Sequence, residues 1–388
     1  MVTAGPWFLR LRPRPEAEMV LYCVPFGGGS AGAFRPWAEL MPPWLELRAV
    51  EAPGRGTRLG EPWPASFEDM AAGLSEALLA DLDGRPFALY GHCSGSLIAH
   101  EVARRLIAAG HAPRHLFVAA LGPPQRYRLD QLVATADVPE AQDSNALHDM
   151  SDALLLAFLH NVEFQGLADF ERDPELREMA MATMRADSRM MLSYHPVAGQ
   201  PLPLPITAVA GGRDPVVTAH DLWQWSVETS VGFDWRWIPD GNHYFHVEHA
   251  AVLARTFEVL RADSPPAPRP LDTAALSPVD IVRSLYAAWP DTAEDRARFL
   301  AEGLEWRVRI GERVHFSGEP VWFADPALGI EALLTPSLTV EAVGDEEVEA
   351  ACELLLRDGE LRRVHNRARY RLQDGRISGG EISIDGPS

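Results

Sequence analysis

The amino-acid sequence predicts a large α/β domain followed by a smaller α+β domain. Two observations support this prediction: short apolar runs alternate with helix-like segments early in the chain, and a proline-dense stretch at residues 263–276 ends the alternation. The length agrees, since 388 residues exceed the roughly 250 to 300 at which one core stops growing. We therefore expect domains at residues 1–262 and 277–388, joined by an extended linker.

The first domain is expected to contain a parallel sheet covered by helices on both faces. Strand-like runs separated by helix-like segments require crossover connections, which are typical of parallel sheets. Residues from about 125 to 200 depart from this alternation and have the pattern of consecutive helices, which predicts a helical lid insertion. The six strand-like runs are residues 20–24, 47–50, 87–90, 116–120, 206–210 and 235–238.

The second domain is expected to open with a helix and continue in strands. Ser277 provides a helix N-cap, Pro278 suits the first helical position, and Asp280 completes a capping box. Residues 348–356 and 363–372 then alternate apolar and polar side chains, as strands with one buried face do.

One face of residues 363–372 is basic. A three-residue loop around Asp358 and Gly359 would set Glu353 opposite His365 and Glu349 opposite Arg369. We favour cross-strand ion pairs on this face over a dedicated anion site, which stays the alternative.

The composition excludes several classes of function. Hydrophobic residues make up 47% and charged residues 23%, which indicates a packed globular protein. A net charge of -20 argues against a nucleic-acid partner, because phosphate binding needs a basic surface. No run approaches the roughly 20 apolar residues that span a bilayer, and the N-terminus lacks a signal-peptide pattern. We expect no membrane association and a cytoplasmic location.

Three cysteines have no metal-type spacing and no close pairing, which suits a reducing compartment. Cys23 lies in a continuous apolar run, Cys352 alternates with apolar residues, and both are interpreted as strand core. Cys93 lies in different surroundings, and no metal ligand set is expected.

Cys93 stands at the centre of a predicted strand-turn-helix unit. Residues 91–96 read Gly-His-Cys-Ser-Gly-Ser, between an apolar strand and an amphipathic helix. Gly91 and Gly95 permit a turn so sharp that no side chain fits beside the central residue. Cys93 is therefore the predicted nucleophile, at a helix N-terminus that favours the thiolate, whereas Ser94 is off-centre.

A cysteine nucleophile needs a base, and the base needs an orienting acid. His243 follows the last strand of the first domain and is the predicted base. Asp214 follows the preceding strand and is the predicted acid, with Asp240 as the alternative. The order Cys93, Asp214, His243 is that of the α/β-hydrolase fold, which we predict here. His92 neighbours Cys93 but is expected to point away from it, and His246 and His249 are expected to be surface or packing residues.

The glycine run after the first strand is expected to bind a substrate oxygen. Residues 25–30 read Pro-Phe-Gly-Gly-Gly-Ser, so backbone N–H groups can approach a ligand closely. With the N–H of Ser94, that of Gly27 would form an oxyanion hole. A glycine run can equally bind phosphate, and its position in this fold favours the oxyanion role.

The motifs taken in order resemble the type II thioesterases of polyketide and nonribosomal-peptide assembly lines. The resemblance covers residues 6 to about 258, including the lid. This sequence departs from that family in two respects: cysteine replaces the family's serine, and a second domain follows. The matching segments are residues 25–30, 53–56, 91–96, 150–152, 185–189, 211–215 and 241–245.

A cysteine nucleophile with an added C-terminal domain is similar to the off-loading Dieckmann cyclases that form tetramate or pyridone rings. The resemblance implies a β-ketoamide aminoacyl chain delivered on a phosphopantetheine carrier, with no other cofactor. It implies that Cys93 takes the acyl group, His243 acts as base and Asp214 orients it. The implied partner is an acyl or peptidyl carrier protein of a hybrid assembly line, and the second domain resembles the NTF2-like or SnoaL-like cone.

Two alternatives stay open. The chain could be a hydrolytic editing thioesterase that uses cysteine, because sequence identifies the nucleophile and not its acceptor. It could also be a non-catalytic module that binds carrier proteins, although such a module has no reason to keep three catalytic groups in this order.

Overall fold

The computed structural model describes residues 6–127, 150–196, 199–262, 265–266, 269–288, 293–310, 313–317, 324–325, 330–334, 338–357 and 361–384. The chain separates into two compact units. The first comprises residues 1–217 and 221–269, and the second comprises residues 218–220 and 270–388. The division after Arg269 therefore lies inside the segment 263–276 that was predicted to be a linker. A short 3₁₀ turn, Thr273–Ala275, also lies in that segment.

A seven-stranded sheet forms the centre of the first unit, in the order β1-β3-β2-β4-β5-β6-β7. Strands β2 to β7 pair in parallel, and only β1 is antiparallel to its neighbour. All six predicted strands are confirmed. The strands are β1 (Phe8–Leu9), β2 (Met19–Val24), β3 (Leu45–Val50), β4 (Phe87–His92), β5 (Leu116–Ala119), β6 (Ile206–Gly211) and β7 (Phe233–Ile238).

Helices follow the strands, as a parallel sheet requires. Strands β2 and β4 are buried along their whole length, because helices cover both faces. The α/β-hydrolase fold with its inserted helices is thus confirmed. The helices are α1 (Arg35–Leu40), α2 (Phe67–Asp81), α3 (Ser94–Ala108), α4 (Asp152–Asn161), α5 (Leu167–Arg172), α6 (Pro174–Leu192), α7 (Ala219–Trp223), α8 (Phe245–Glu248) and α9 (Ala250–Thr256).

The lid consists of α4, α5 and α6, inserted between β5 and β6. Residues 128–149 of the predicted insertion lie outside the described residues. Helix α6 begins after Asp173, whose side chain accepts hydrogen bonds from the N–H groups of Glu175 and Leu176 at 3.1 and 3.0 Å. The lid packs on the catalytic core through an apolar cluster that includes Tyr244, next to His243. Its lid members are Met150, Leu154, Leu155, Leu159, Val162, Phe170 and Met181.

The second unit is α+β, as predicted. Its predicted N-cap is confirmed: Ser277 Oγ accepts from the N–H of Asp280 at 3.2 Å, and the helix starts at Pro278. The Asp280 carboxylate accepts from the Ser277 hydroxyl at 2.6 Å, in place of the backbone N–H that a full capping box would use. The strand order is β10-β11-β13-β14-β15-β8-β9, with β12 also paired to β13. The elements are α10 (Pro278–Ala287), α11 (Ala293–Ala297), β8 (Leu300–Ile310), β9 (Arg313–Ser317), β10 (Ala324–Asp325), β11 (Ile330–Leu334), β12 (Thr339–Ala342), β13 (Glu347–Arg357), β14 (Leu361–Gln373) and β15 (Arg376–Ile384).

The predicted register of β13 and β14 is confirmed. Glu349 lies opposite Arg369, and Glu353 lies opposite His365. Arg369 Nε donates to Glu349 Oε1 at 2.8 Å, which is the predicted cross-strand ion pair. The predicted loop at residues 358–360 lies outside the described residues.

None of the helices in the described ranges is both long and apolar enough to cross a lipid bilayer.

Candidate active site

Cys93 occupies a strained turn between β4 and α3. Its backbone has φ 53° and ψ -126°, which a residue with a side chain rarely adopts. A Cβ added to Gly91 would lie 2.2 Å from the carbonyl oxygen of Gly95, and one added to Gly95 would lie 2.5 Å from that of Pro25. The turn therefore excludes side chains at both glycines. Cys93 is held at the N-terminus of the fifteen-residue helix α3.

His243 lies between Cys93 and Asp214. Its Nδ1 is 2.9 Å from Asp214 Oδ2, and a side-chain hydrogen bond joins the imidazole to Cys93. Asp214 Oδ1 accepts from the N–H of Val216 at 2.8 Å, which fixes the carboxylate. Asp214 and His243 are 0% and 1% exposed, so water does not screen their interaction. The structure thus brings together the three residues singled out from the sequence, whereas Asp240 is exposed on the same loop.

The surroundings of His243 favour its protonated form. Burial by itself would lower the pKa of His243, but the charges of Asp214 and Cys93 and the hydrogen bonds to both residues raise the pKa to about 10. The arrangement therefore favours an imidazolium near neutral pH, placed between two groups that can carry negative charge.

The other two cysteines lie in unreactive surroundings. Burial raises the pKa of Cys23 well above its ordinary value. Burial also raises the pKa of Cys352, against hydrogen bonds from Asn366 and Tyr286 that lower it. Neither thiol is therefore suited to form a thiolate, in agreement with their prediction as strand core.

The two predicted oxyanion donors lie beside each other at the same cavity as Cys93. A Cβ added to Gly27 would lie 3.4 Å from Ser94 Oγ. The N–H of Ser94 belongs to the first turn of α3 and has no acceptor within the helix. In the part of the chain that the structure describes, the N–H of Gly27 donates no hydrogen bond to a protein group. Both N–H groups are thus available to a ligand oxygen.

Cys93 and His243 line a cavity of about 70 Å³ beneath the lid. Most of the side chains that line it are apolar, which suits a hydrocarbon ligand. Flexible methionines in such a wall accommodate chains of different shape. The apolar wall consists of Phe26, Leu155, Phe158, Met184, Met191 and Tyr244.

His92 supports the loop that carries His243 through a contact that the sequence does not predict. Its Nε2 donates to the carbonyl oxygen of His243 at 2.8 Å, and its Nδ1 accepts from the hydroxyl of Tyr90 at 3.0 Å. Burial lowers the pKa of His92 well below its ordinary value, so the ring is neutral and the acceptor on His243 fixes its tautomer. As predicted, His92 does not face the cavity. Its neighbour His246 is fully buried.

Comparison with known proteins agrees with this fold and site. The sequence profile described as the thioesterase domain matches residues 20–260. The chain is 31% identical over 257 residues to linear gramicidin dehydrogenase LgrE of Brevibacillus parabrevis, covering 65% of this chain and 92% of that protein. It is 30% identical over 244 residues to gramicidin S biosynthesis protein GrsT of Aneurinibacillus migulanus, covering 62% and 88%.

Solved structures of thioesterases have the same fold as this chain. The type II thioesterase BorB from the borrelidin biosynthetic cluster superposes with a TM-score of 0.55 at 29% identity, covering 68% of this chain and all of BorB. The RedJ thioesterase from the prodiginine pathway of Streptomyces coelicolor superposes with a TM-score of 0.53 at 30% identity, covering 63% and 91%. The profile match spans more than half of the chain and includes the nucleophile turn and the His243 loop. This chain therefore belongs to the thioesterase domain family.

Proposed function

We propose that this protein is an off-loading cyclase, which takes a β-ketoamide aminoacyl chain from a carrier-protein thioester and closes a tetramate-type or pyridone ring by Dieckmann condensation. The observation that carries this proposal is a cysteine, in place of serine, at the nucleophile turn beside a histidine that favours its protonated form. That combination suits capture of the chain as a thioester.

The first step is transfer of the acyl chain to Cys93. The thiolate attacks the carbonyl carbon of the incoming thioester, and the N–H groups of Gly27 and Ser94 stabilise the resulting oxyanion. The oxyanion collapses and breaks the bond to the carrier sulfur. The departing carrier thiolate takes the proton of the His243 imidazolium. This step leaves an acyl thioester on Cys93 and a neutral His243.

The second step is ring closure. Neutral His243 removes the acidic proton from the carbon between the ketone and amide carbonyls. The carbanion attacks the acyl carbon, a carbon–carbon bond forms, and the bond to Cys93 breaks. Cys93 leaves as thiolate beside the imidazolium, which restores the starting state. A thioester is more receptive to a carbon nucleophile than an oxygen ester, and an intramolecular attack gains from high effective concentration.

The relatives support the proposed substrate class and partner. GrsT is named for gramicidin S biosynthesis, and BorB is named as a type II thioesterase of a biosynthetic cluster. Related chemistry here implies a polyketide or nonribosomal-peptide chain delivered on the phosphopantetheine arm of a carrier protein. The apolar cavity beneath the lid suits the hydrocarbon part of such a chain.

A hydrolytic editing thioesterase is the second candidate, favoured by the family match itself. The first step would be the same, but neutral His243 would activate water against the acyl-Cys93 thioester. The two candidates therefore differ only in the acceptor. Lid residues line the cavity at Cys93, and a lid that excludes water favours the intramolecular acceptor.

Product masses distinguish these candidates. We would incubate the full chain with a β-ketoamide aminoacyl thioester of N-acetylcysteamine and identify the products by mass spectrometry. Loss of the thiol alone indicates ring closure, whereas a product heavier by one water indicates hydrolysis and contradicts the proposal. Absence of both turnover and an adduct on Cys93 would leave only the non-catalytic carrier-binding module.

Cys93→Ser tests the role of the thiol in the same assay. We expect it to lose ring closure, because serine must first be deprotonated and would hold the chain as a less reactive oxygen ester. Cys352→Ser is the matched control, since Cys352 is also a buried free thiol but belongs to the second unit. Full cyclising activity of Cys93→Ser would contradict the assigned role of cysteine.

A further inference from the structure

A buried ion pair joins the lid to the loop that follows β3. Arg55 NH1 donates to Asp187 Oδ2 at 2.7 Å, and Arg55 NH2 donates to Asp187 Oδ1 at 2.6 Å. Each side chain is 7% exposed. Burial by itself would lower the pKa of Arg55, but the charge of Asp187 raises it. The pair is therefore a bidentate bridge between a loop of the catalytic core and helix α6 of the lid.

The same pair holds the glycine loop from both sides. Asp187 Oδ2 also accepts from the N–H of Gly28 at 2.7 Å, and Arg55 NH1 also donates to the carbonyl oxygen of Gly29 at 3.0 Å. Gly28 has φ +82°, a backbone conformation that glycine adopts readily. Because glycine also adopts many other conformations, contacts from outside the loop are needed to hold this one. Because the N–H of Gly28 donates to Asp187 of the lid, the orientation of the peptide bond between Gly27 and Gly28 is fixed.

Helix α6 also packs directly on this loop. A Cβ added to Gly28 would lie 2.5 Å from Met184 Cγ, so the Met184 side chain of the lid helix packs directly against the glycine. Met184 and Asp187 are three residues apart and therefore share one helix face. That face contacts Gly28 by packing and by a hydrogen bond at once, which links the position of α6 to the conformation of the loop.

Stability alone is a weak reason for such a pair. A buried ion pair contributes little to folding compared with apolar side chains of similar volume, because both charges lose their hydration. The contacts with Gly28 and Gly29 provide a second role, since the oxyanion donor proposed above is the adjacent Gly27.

We infer that Arg55 and Asp187 are positioning residues, which hold Gly27–Gly29 in the oxyanion-binding conformation only while α6 is seated on the loop. The inference rests on the proposed acylation of Cys93 and adds that lid seating and assembly of the oxyanion hole are one event. An open lid would leave Cys93 nucleophilic but poorly able to accept an acyl group, which protects the thiol from unselected thioesters.

Two reactions of the same thiol separate this role from a general structural one. Acylation by acetyl N-acetylcysteamine forms the bond from Cys93 sulfur to the carbonyl carbon, passes through an oxyanion and releases the small thiol. Alkylation by iodoacetamide forms a sulfur–carbon bond and releases iodide without an oxyanion. In the folded protein, the ratio of the two rate constants therefore measures the oxyanion site.

We expect Asp187→Asn and Arg55→Lys to acylate about 100-fold more slowly, because small misplacements of supporting groups cost rates of this order. Alkylation should change little, so the ratio should fall by nearly the same factor. Equal falls in both reactions, or no fall in acylation, would overturn the inference. Failure of the wild-type chain to be acylated at all would instead contradict the proposed function.

Glu46→Gln is the matched control. Glu46 is a buried carboxylate paired with Arg48 at 3.1 Å and Arg85 at 2.6 Å, near the start of β3 and away from the glycine loop. Its substitution removes a comparable buried charge, so it should affect thermal stability and leave the ratio unchanged. A similar fall in the ratio for this variant would show that the assay reports stability and would overturn the inference.

Discussion

Asp214→Asn removes the charge that holds His243 protonated while keeping the size of the side chain. The rise in the pKa of His243 from 6.5 to about 10 corresponds to on the order of 5 kcal/mol of preference for the imidazolium. Asp214 is the largest contributor to that rise. With asparagine at position 214, burial continues to disfavour the charge and only Cys93 still favours it, so the pKa of His243 should fall.

The rate of Cys93 acylation in Asp214→Asn should fall together with the pKa of His243. An asparagine amide that donates to Nδ1 also holds the imidazole in the wrong tautomer, and loss of the orienting acid costs about 10⁴-fold in serine-based triads. We expect a loss of about 10³- to 10⁴-fold near neutral pH. Rapid-quench mass spectrometry of the acyl-enzyme measures the rate, and NMR titration of the imidazole measures the pKa.

Asp240→Asn is the matched control, because it makes the same change on an exposed residue of the loop that carries His243. We expect this variant to match the wild type in both measurements. If Asp214→Asn instead acylated within about tenfold of the wild-type rate, with His243 still titrating near pH 10, the assignment of Asp214 would be refuted.

Three further predictions concern the supports of the site. His92→Phe leaves the buried carbonyl of His243 without its donor, so the free energy of unfolding in urea should fall by about 1–3 kcal/mol; an unchanged value would contradict the contact. Because the pKa of His243 is raised on folding, the stability from its charge is fully present below pH 6.5 and is lost as pH rises through about 10. The difference in Tm between wild type and His243→Gln should therefore shrink over that range, and a constant difference would contradict the raised pKa. Gly95→Ala places a methyl group 2.5 Å from the carbonyl oxygens of Pro25 and Val24. The free energy of unfolding should therefore fall by about 1–3 kcal/mol or more, with a lower Tm. An unchanged Tm would show that the turn relaxes.

The parts of the fold that depend on local patterns were predictable. Strands β2 to β7 are short apolar runs between helices, and each was placed to within two residues of its observed end. The turn at Cys93 was predictable because two glycines at fixed spacing have few other uses in a strand-to-helix connection. The helix at Pro278 followed from a capping pattern contained within four residues.

Contacts between distant segments were not predictable in the same way. Arg55 and Asp187 lie in two separate segments, 132 positions apart, and nothing in either segment indicates the other as its partner. The hydrogen bond from His92 to the carbonyl of His243 spans 151 positions. Strand β1 has two residues, too few to show any alternation, and forms only because β3 offers it an edge. Such contacts depend on the folded topology and produce no periodic pattern of residues in the sequence.

A substrate that cannot close its ring tests the central claim most directly. Two methyl groups on the carbon between the ketone and amide carbonyls remove the acidic proton, so the chain can be transferred to Cys93 but cannot cyclise. We predict that peptide mass spectrometry will find this chain accumulated on Cys93, with little free acid released. Release of the free acid at the turnover rate of the unblocked substrate, or an adduct on another residue, would contradict the account.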